Sequence, residues 1–163
     1  MRRSARQRLA LLLGTVVLGS LALWQWQRDA AAAPGTLLDK TPEAIDHIAL
    51  SLPGHGTEHY TKRDGHWWRV DGPPVPADDG RLGELAGYAA APVASWRLLA
   101  DFKPAQIGLS PPMAILQLDQ QTLRFGDTSV TGPLRYVQVG QRVALVSARY
   151  TPRPSRAEAV QAD

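Results

Sequence analysis

The chain has 163 residues, no cysteine, and 18 basic against 15 acidic side chains. The missing thiol excludes a disulfide framework, a thiolate metal site or nucleophile, and a lipid anchor attached through cysteine. The positive excess belongs to the ends: Arg2, Arg3, Arg6, Arg8 and Arg28 flank an apolar run, Arg149, Arg153 and Arg156 lie near the carboxyl end, and Asp29 to Ala148 holds 10 basic and 13 acidic residues, a formal charge of −3, so no nucleic-acid partner is expected.

Residues 1–8 form a basic segment. The run from Leu9 to Trp26 is apolar on every side. As a helix rising 1.5 Å per residue, its roughly 18 residues span about 27 Å, close to the ~30 Å hydrocarbon core of a bilayer. The pattern predicts a transmembrane helix over residues 9–27, with Trp24 and Trp26 at headgroup level. Arg2, Arg3, Arg6 and Arg8 should stay cytoplasmic, which leaves the rest of the chain in the periplasm, held at the bacterial inner membrane. A cleaved secretory signal is the competing reading, because Ala30 to Ala33 supplies small residues. The length of the run, its two tryptophans and the intervening Arg28-Asp29 favour an uncleaved anchor.

Residues 28–40 read as a linker, and 41–148 as one domain. Ile48, Leu50 and Leu52 alternate in a first strand, Ile45 to Leu52,. Glu58 to Arg63 is a polar strand that turns at Asp64-Gly65, a two-residue hairpin signal, into His66 to Asp71. Gly72 to Pro76 stops the hairpin. Asp78 or Asp79 caps a helix through Ala91, with Leu82, Leu85, Ala86 and Ala89 on one face. Pro92 ends it. A strand over Val93 to Leu99 and an irregular turn over Phe102 to Leu109 follow. Short strands come next at Met113 to Leu118, Thr122 to Phe125, Leu134 to Val139 and Val143 to Ser147. Turn signals between them stand at Asp119-Gln120, Gly126-Asp127, Gly132-Pro133 and Gly140-Gln141. Hairpin after hairpin gives an antiparallel sheet, so the fold class predicted is α+β: a transmembrane helix, then antiparallel β-hairpins with one main helix. Residues 149–163 have no apolar period and read as a disordered tail.

Several features in order carry a resemblance. They are the isoleucine-containing first strand, Asp64-Gly65, Trp68-x-Val70-x-x-Pro73, the leucine-spaced helix, Gly108-Leu109-x-Pro111-Pro112, Phe125-Gly126, and Tyr136-Val137 before Val143-x-Leu145-Val146. From Leu37 to Val146 the chain resembles a bacterial envelope family known as a domain of unknown function, with one amino-terminal span. Members are often encoded beside ABC-type transporter or gliding-motility-like components. The resemblance implies an accessory or scaffold role in such a complex and supplies no catalytic residues.

The chemistry motifs are weak. His47, His55, His59 and His66 fall in one hairpin region, but they straddle a turn and lack thiolate support, so no metal site is assigned. Asp71, Asp78 and Asp79 lack the spacing of a calcium loop and suit helix capping. No serine stands in a nucleophile elbow, so no catalytic residue or cofactor is assigned and a hydrolase is the weakest alternative. Binding is left. Trp67 and Trp68 must point to opposite faces of their strand. The resemblance places Trp68 inward, making Trp67, Arg69 and Tyr60 the candidate interface, since such residue types concentrate at hot spots. The expected partners are the lipid bilayer and membrane proteins, ABC-type transporter subunits among them. A small-molecule or glycan binding module, with Trp67 or Trp96 in a concave pocket, is the alternative.

Overall fold

The alternation in the sequence becomes nine strands among the described residues: β1 (His47–Ser51), β2 (Thr57–Arg63), β3 (His66–Arg69), β4 (Val75–Pro76), β5 (Val93–Leu98), β6 (Ala114–Leu118), β7 (Gln121–Thr128), β8 (Leu134–Val139) and β9 (Arg142–Ser147). The computed structural model describes residues 17–21 and 35–154. All nine strands join one sheet in the order β4-β3-β2-β1-β6-β7-β8-β9-β5, antiparallel at every pairing. Among the described residues of the unit that carries the sheet, one α-helix of nine residues, α1 (Asp79–Gly87), runs on into a 3-10 turn at Tyr88–Ala90. The expected α+β class is thereby corrected to a predominantly β fold. The helix stops short of Ala91 because three glycines disfavour it and Pro92 cannot donate to its last turn.

The chain separates into two units, Met1–Ala33 and Pro34–Asp163. Of the expected transmembrane helix over 9–27, residues 17–21 are described and helical. The rest of that prediction lies outside the described residues, as do Arg2, Arg3, Arg6, Arg8, Trp24 and Trp26. Among the described residues no helix is long and apolar enough to cross a membrane.

Two-residue turns set the register. Asp64 and Gly65 both take positive φ, 52° and 82°, the pairing a tight hairpin turn with right-handed strand twist needs. One face of the sheet is the core. Ile48 and Leu50, Leu116 and Leu118, Leu123 and Phe125, and Val137 align across the ladders and are buried. Leu82, Leu85, Ala86 and Ala89 of the helical segment cover them. Asp78 caps α1 by accepting the backbone N–H of Arg81 at 3.0 Å,.

The ends of the domain differ from expectation. Leu37 and Leu38, placed in the linker by the sequence, are 3% and 6% exposed and belong to the core. Their backbone N–H groups donate to Ala91 and Ala89, so that short stretch is held like a strand. Near the carboxyl end, residues 149–154 are packed: Tyr150 meets Tyr88 edge-on at 5.6 Å and Arg81 donates to the Arg153 carbonyl at 3.3 Å. The expectation of disorder for 155–163 lies outside the described residues.

Among the described residues, the sheet's second face is covered at one end only. Residues 99–112 fold across it, and Ile107 and Leu109 form a small cluster with Val143, joined by Leu99, Phe102 and Tyr136. Gly126, read from sequence as a turn, lies inside β7 beside a bulge. Its reason is close approach: a Cβ there would sit 2.2 Å from the Ile107 carbonyl oxygen,.

Candidate functional site

The two faces decide where the expected interface residues lie. Trp67 opposes Lys62, and Arg69 opposes Tyr60, so all four share the face that α1 covers. Trp67 is 4% exposed and Tyr60 5%. Asp79, the first residue of α1, accepts the Trp67 backbone N–H at 2.6 Å and fixes that strand beneath the helix. The orientation expected from the resemblance is therefore reversed. Trp67 and Tyr60 are core, and half-buried Trp68 stands on the second face.

Arg69 and Tyr60 belong to a charged cluster at the sheet margin. Glu58 is 4% exposed. It accepts the Tyr60 hydroxyl at 2.8 Å and lies 3.3 Å from Arg81 and 3.5 Å from Arg69. A buried carboxylate survives through such pairing. Burial, then the bond to Glu58, pushes the Tyr60 phenol up to about 12. Arg69 also donates to Asp71 at 2.8 Å. Burial raises the Asp71 carboxyl, yet bonds from Arg69 and from the His59 side chain and backbone prevail and hold it below the usual range. The cluster ties sheet to helix. The sequence offered one signal for it, the i, i+2 spacing of Glu58 and Tyr60, which places an acid and an aromatic on one face.

The histidines do not converge. His59 Nδ1 lies 2.7 Å from Asp71, His66 Nδ1 2.7 Å from Asp79, and His47 Nδ1 3.7 Å from Asp119. Among the described residues no group of three or more His, Asp or Glu side chains is gathered for a metal. Asp119 instead clamps the start of β1, accepting the backbone N–H groups of Asp46 and His47 and the Lys40 ammonium at 2.8 Å.

What is open is the second face over β3, β2, β1 and β6. Ladder register places Trp68, Thr61 and His47 in one row, and His59, Ala49, Gln117 and Thr122 in the next. Ser51, Ile115, Arg124 and Gln138 continue it toward the covered end. These side chains are exposed or half-buried, so the surface is broad and mixed in polarity, with a depression of about 270 Å³ between Thr122, Arg124, Gln138 and Gly140. Among the described residues, a cleft of about 470 Å³ lies by Lys40, Asp46, His47 and Asp119, and two more lie away from this face. One of about 360 Å³ runs beside α1 between Arg81, Glu84, Tyr88 and Arg153. The other, about 280 Å³, sits under the 99–112 segment between Arg97, Asp101, Phe102 and Tyr136. Neither is lined by Trp67 or Trp96. Trp96 is half-buried on β5 with the Arg142 guanidinium 4.3 Å from its ring centroid.

Among the described residues the geometry defines a β-sheet protein with one face covered by a short helix and the other partly bare. No protein-family model, curated protein or solved structure matches the chain.

Proposed function

We propose that this chain is a membrane-anchored periplasmic accessory or scaffold protein that docks onto membrane-protein partners through the open part of its second sheet face. The observation that carries this reading is the half-covered sheet. A segment of the chain covers the face over β8 and β9, while Trp68, Ile115, His59, Gln117 and Arg124 remain accessible. A tryptophan among polar and arginine side chains is the composition of a binding hot spot and its rim. Attachment rests on the sequence, in which basic residues precede the apolar run from Leu9 to Trp26. Confinement to the bilayer would raise the effective concentration of the domain near membrane partners. The family resemblance supports subunits of an ABC-type transport or gliding-like system as those partners. The reading assigns no catalysis.

The test is a mild-detergent pulldown of the full chain from native membranes, beside a chain whose residues 1–28 are replaced by an unrelated anchor. Transporter subunits should co-purify with both. Trp68→Ala, in a fold that still melts cooperatively, should weaken their capture about tenfold, the effect of losing a hot-spot aromatic. Capture that follows residues 1–28 alone, or that ignores Trp68, would overturn the reading.

A further inference from the structure

At the other end of the sheet, the 280 Å³ cleft has features that ordinary packing does not require. Its floor is apolar and preformed. Phe102 and Tyr136 meet edge-to-face at 5.8 Å, and Val143 beneath them is 2% exposed. Ile107 and Leu109 hold this floor from outside, and the close approach of Gly126 fixes where they sit. At the mouth stands Val130, 99% exposed on the β7–β8 connection. Arg97 and Asp101 line the same cleft and are exposed. Neither forms an ion pair among the described residues, either with the other or with a third group.

Two opposite charges that do not neutralise each other, set around one apolar floor, select among ligands. A simple anion is attracted by Arg97 and repelled by Asp101, and a simple cation meets the reverse. A neutral apolar molecule gains from neither. A molecule that carries an ammonium and a carboxylate close together, with an apolar group attached, uses all three. The cleft, about 280 Å³ and open to solvent, has room for one leucine- or phenylalanine-sized side chain on its floor. We propose that this cleft binds a single zwitterionic α-amino acid with a large apolar side chain. The carboxylate pairs with Arg97, the ammonium with Asp101, and the side chain lies on Phe102, Tyr136 and Leu145. The Ser95 hydroxyl, also in the lining, is an additional donor for the carboxylate,. This site is remote in the sheet order from the docking face around Trp68 and does not depend on it.

The experiment is calorimetric titration of the full chain in lipid nanodiscs with L-phenylalanine and L-leucine. N-acetyl-L-phenylalanine removes the ammonium, L-phenylalaninamide removes the carboxylate, and glycine removes the side chain. Saturable binding of phenylalanine or leucine is expected, weakened about two- to fivefold when the ammonium or carboxylate is removed, as for exposed ion pairs, and about tenfold or more for glycine, which loses the apolar contact. Arg97→Gln and Asp101→Asn change exposed side chains and should leave thermal melting unaltered. Arg97→Gln should erase the preference for phenylalanine over its amide, and Asp101→Asn the preference over its N-acetyl form. The proposal is overturned if no amino acid binds saturably, if the analogues bind as well as phenylalanine, or if both variants bind like the wild type.

Discussion

Replacing Gly126 by alanine adds one methyl group, and the structure fixes what it meets. The new Cβ would lie 2.2 Å from the Ile107 carbonyl oxygen and 3.2 Å from two Leu109 side-chain carbons, against 3.4 Å or more in ordinary contact. Either β7 or the 99–112 segment must retreat by more than an ångström. If the sheet deforms, the cost is that of overpacking, about 1–3 kcal/mol. If the segment lifts, Ile107 and Leu109 lose their burial at about 1.5–3 kcal/mol each, or about 3–6 kcal/mol together. We expect a loss near 3 kcal/mol, which at about 2–4 °C per kcal/mol lowers Tm by roughly 10 °C. Urea unfolding of the full chain in nanodiscs, followed by tryptophan fluorescence, measures it. The control is the same chemical change at Gly83 on α1, where nothing lies within 4 Å of the added carbon. There alanine should stabilise by about 0.5–1 kcal/mol through helix propensity. A Gly126→Ala protein within about 0.5 kcal/mol of wild type would refute the close-approach argument.

Trp67→Ala should cost about 3–5 kcal/mol as a core truncation, whereas Trp68→Ala should cost about 1 kcal/mol; equal losses in thermal melts would mean the two faces have been assigned wrongly. Glu58→Gln leaves Arg69 and Arg81 facing each other without their shared carboxylate. Breaking a buried pair costs about 3–5 kcal/mol; solvent around Arg69 reduces this to about 2 kcal/mol, while exposed Glu84→Gln should be neutral in the same melts. Burial raises the Tyr60 and Tyr88 phenols to about 12. The folded state therefore favours the protonated ring, an advantage intact below pH 10 and lost as pH climbs through 12. Tm should fall across that window, and Tyr88→Phe should flatten the fall; a pH-independent Tm there would contradict it. On the acid side, Asp119 is raised by burial, but bonds from Lys40 and the backbone of Asp46 and His47 hold it low overall. Its contribution is present above the ordinary carboxylate range and disappears as pH drops through its lowered value. Asp119→Asn should therefore reduce the slope of acid unfolding.

Strands with clean alternation were legible from the residues alone, as at Ile48-x-Leu50 or Leu116-x-Leu118, because a single buried face imposes period two. The Asp64-Gly65 turn and the Asp78 cap were legible because their chemistry is local. Leu37 and Leu38 were not, since two adjacent leucines among small and polar residues have no period, and only the Ala89 and Ala91 carbonyls far along the chain recruit them. The pair β3–β4 was hidden by the prolines around it. Fold class misled because one nine-residue helix looks longer in sequence than glycine and Pro92 allow. The tryptophans were assigned to the wrong faces for a subtler reason. Period two says that adjacent residues differ but not which turns inward, and here the deciding partners are Arg81 and Asp79 from the helix. The floor of the Phe102 cleft depends on Gly126, whose role as a contact point rather than a turn is visible only once Ile107 is seen above it.

The strand order carries a consequence for assembly. From β1 outward to β4, and from β6 outward to β9, each strand lies beside its neighbour in sequence, so two meanders can form from local hairpins. They meet along a single seam, where Ser51 pairs with Ile115 and Ile48 with Leu118. Closing that seam brings together residues far apart in sequence, a loop entropy that must be met before its contacts reward it. Pulse-labelled hydrogen exchange should thus find amides of the β6–β7 and β8–β9 hairpins protected before those of β1 that face β6. Until the seam closes, β1 and β6 are both bare apolar edges of matching register. A second nascent chain presents the same pair, so the joint that unites the two halves of one molecule is also the place where two molecules are most prone to exchange them.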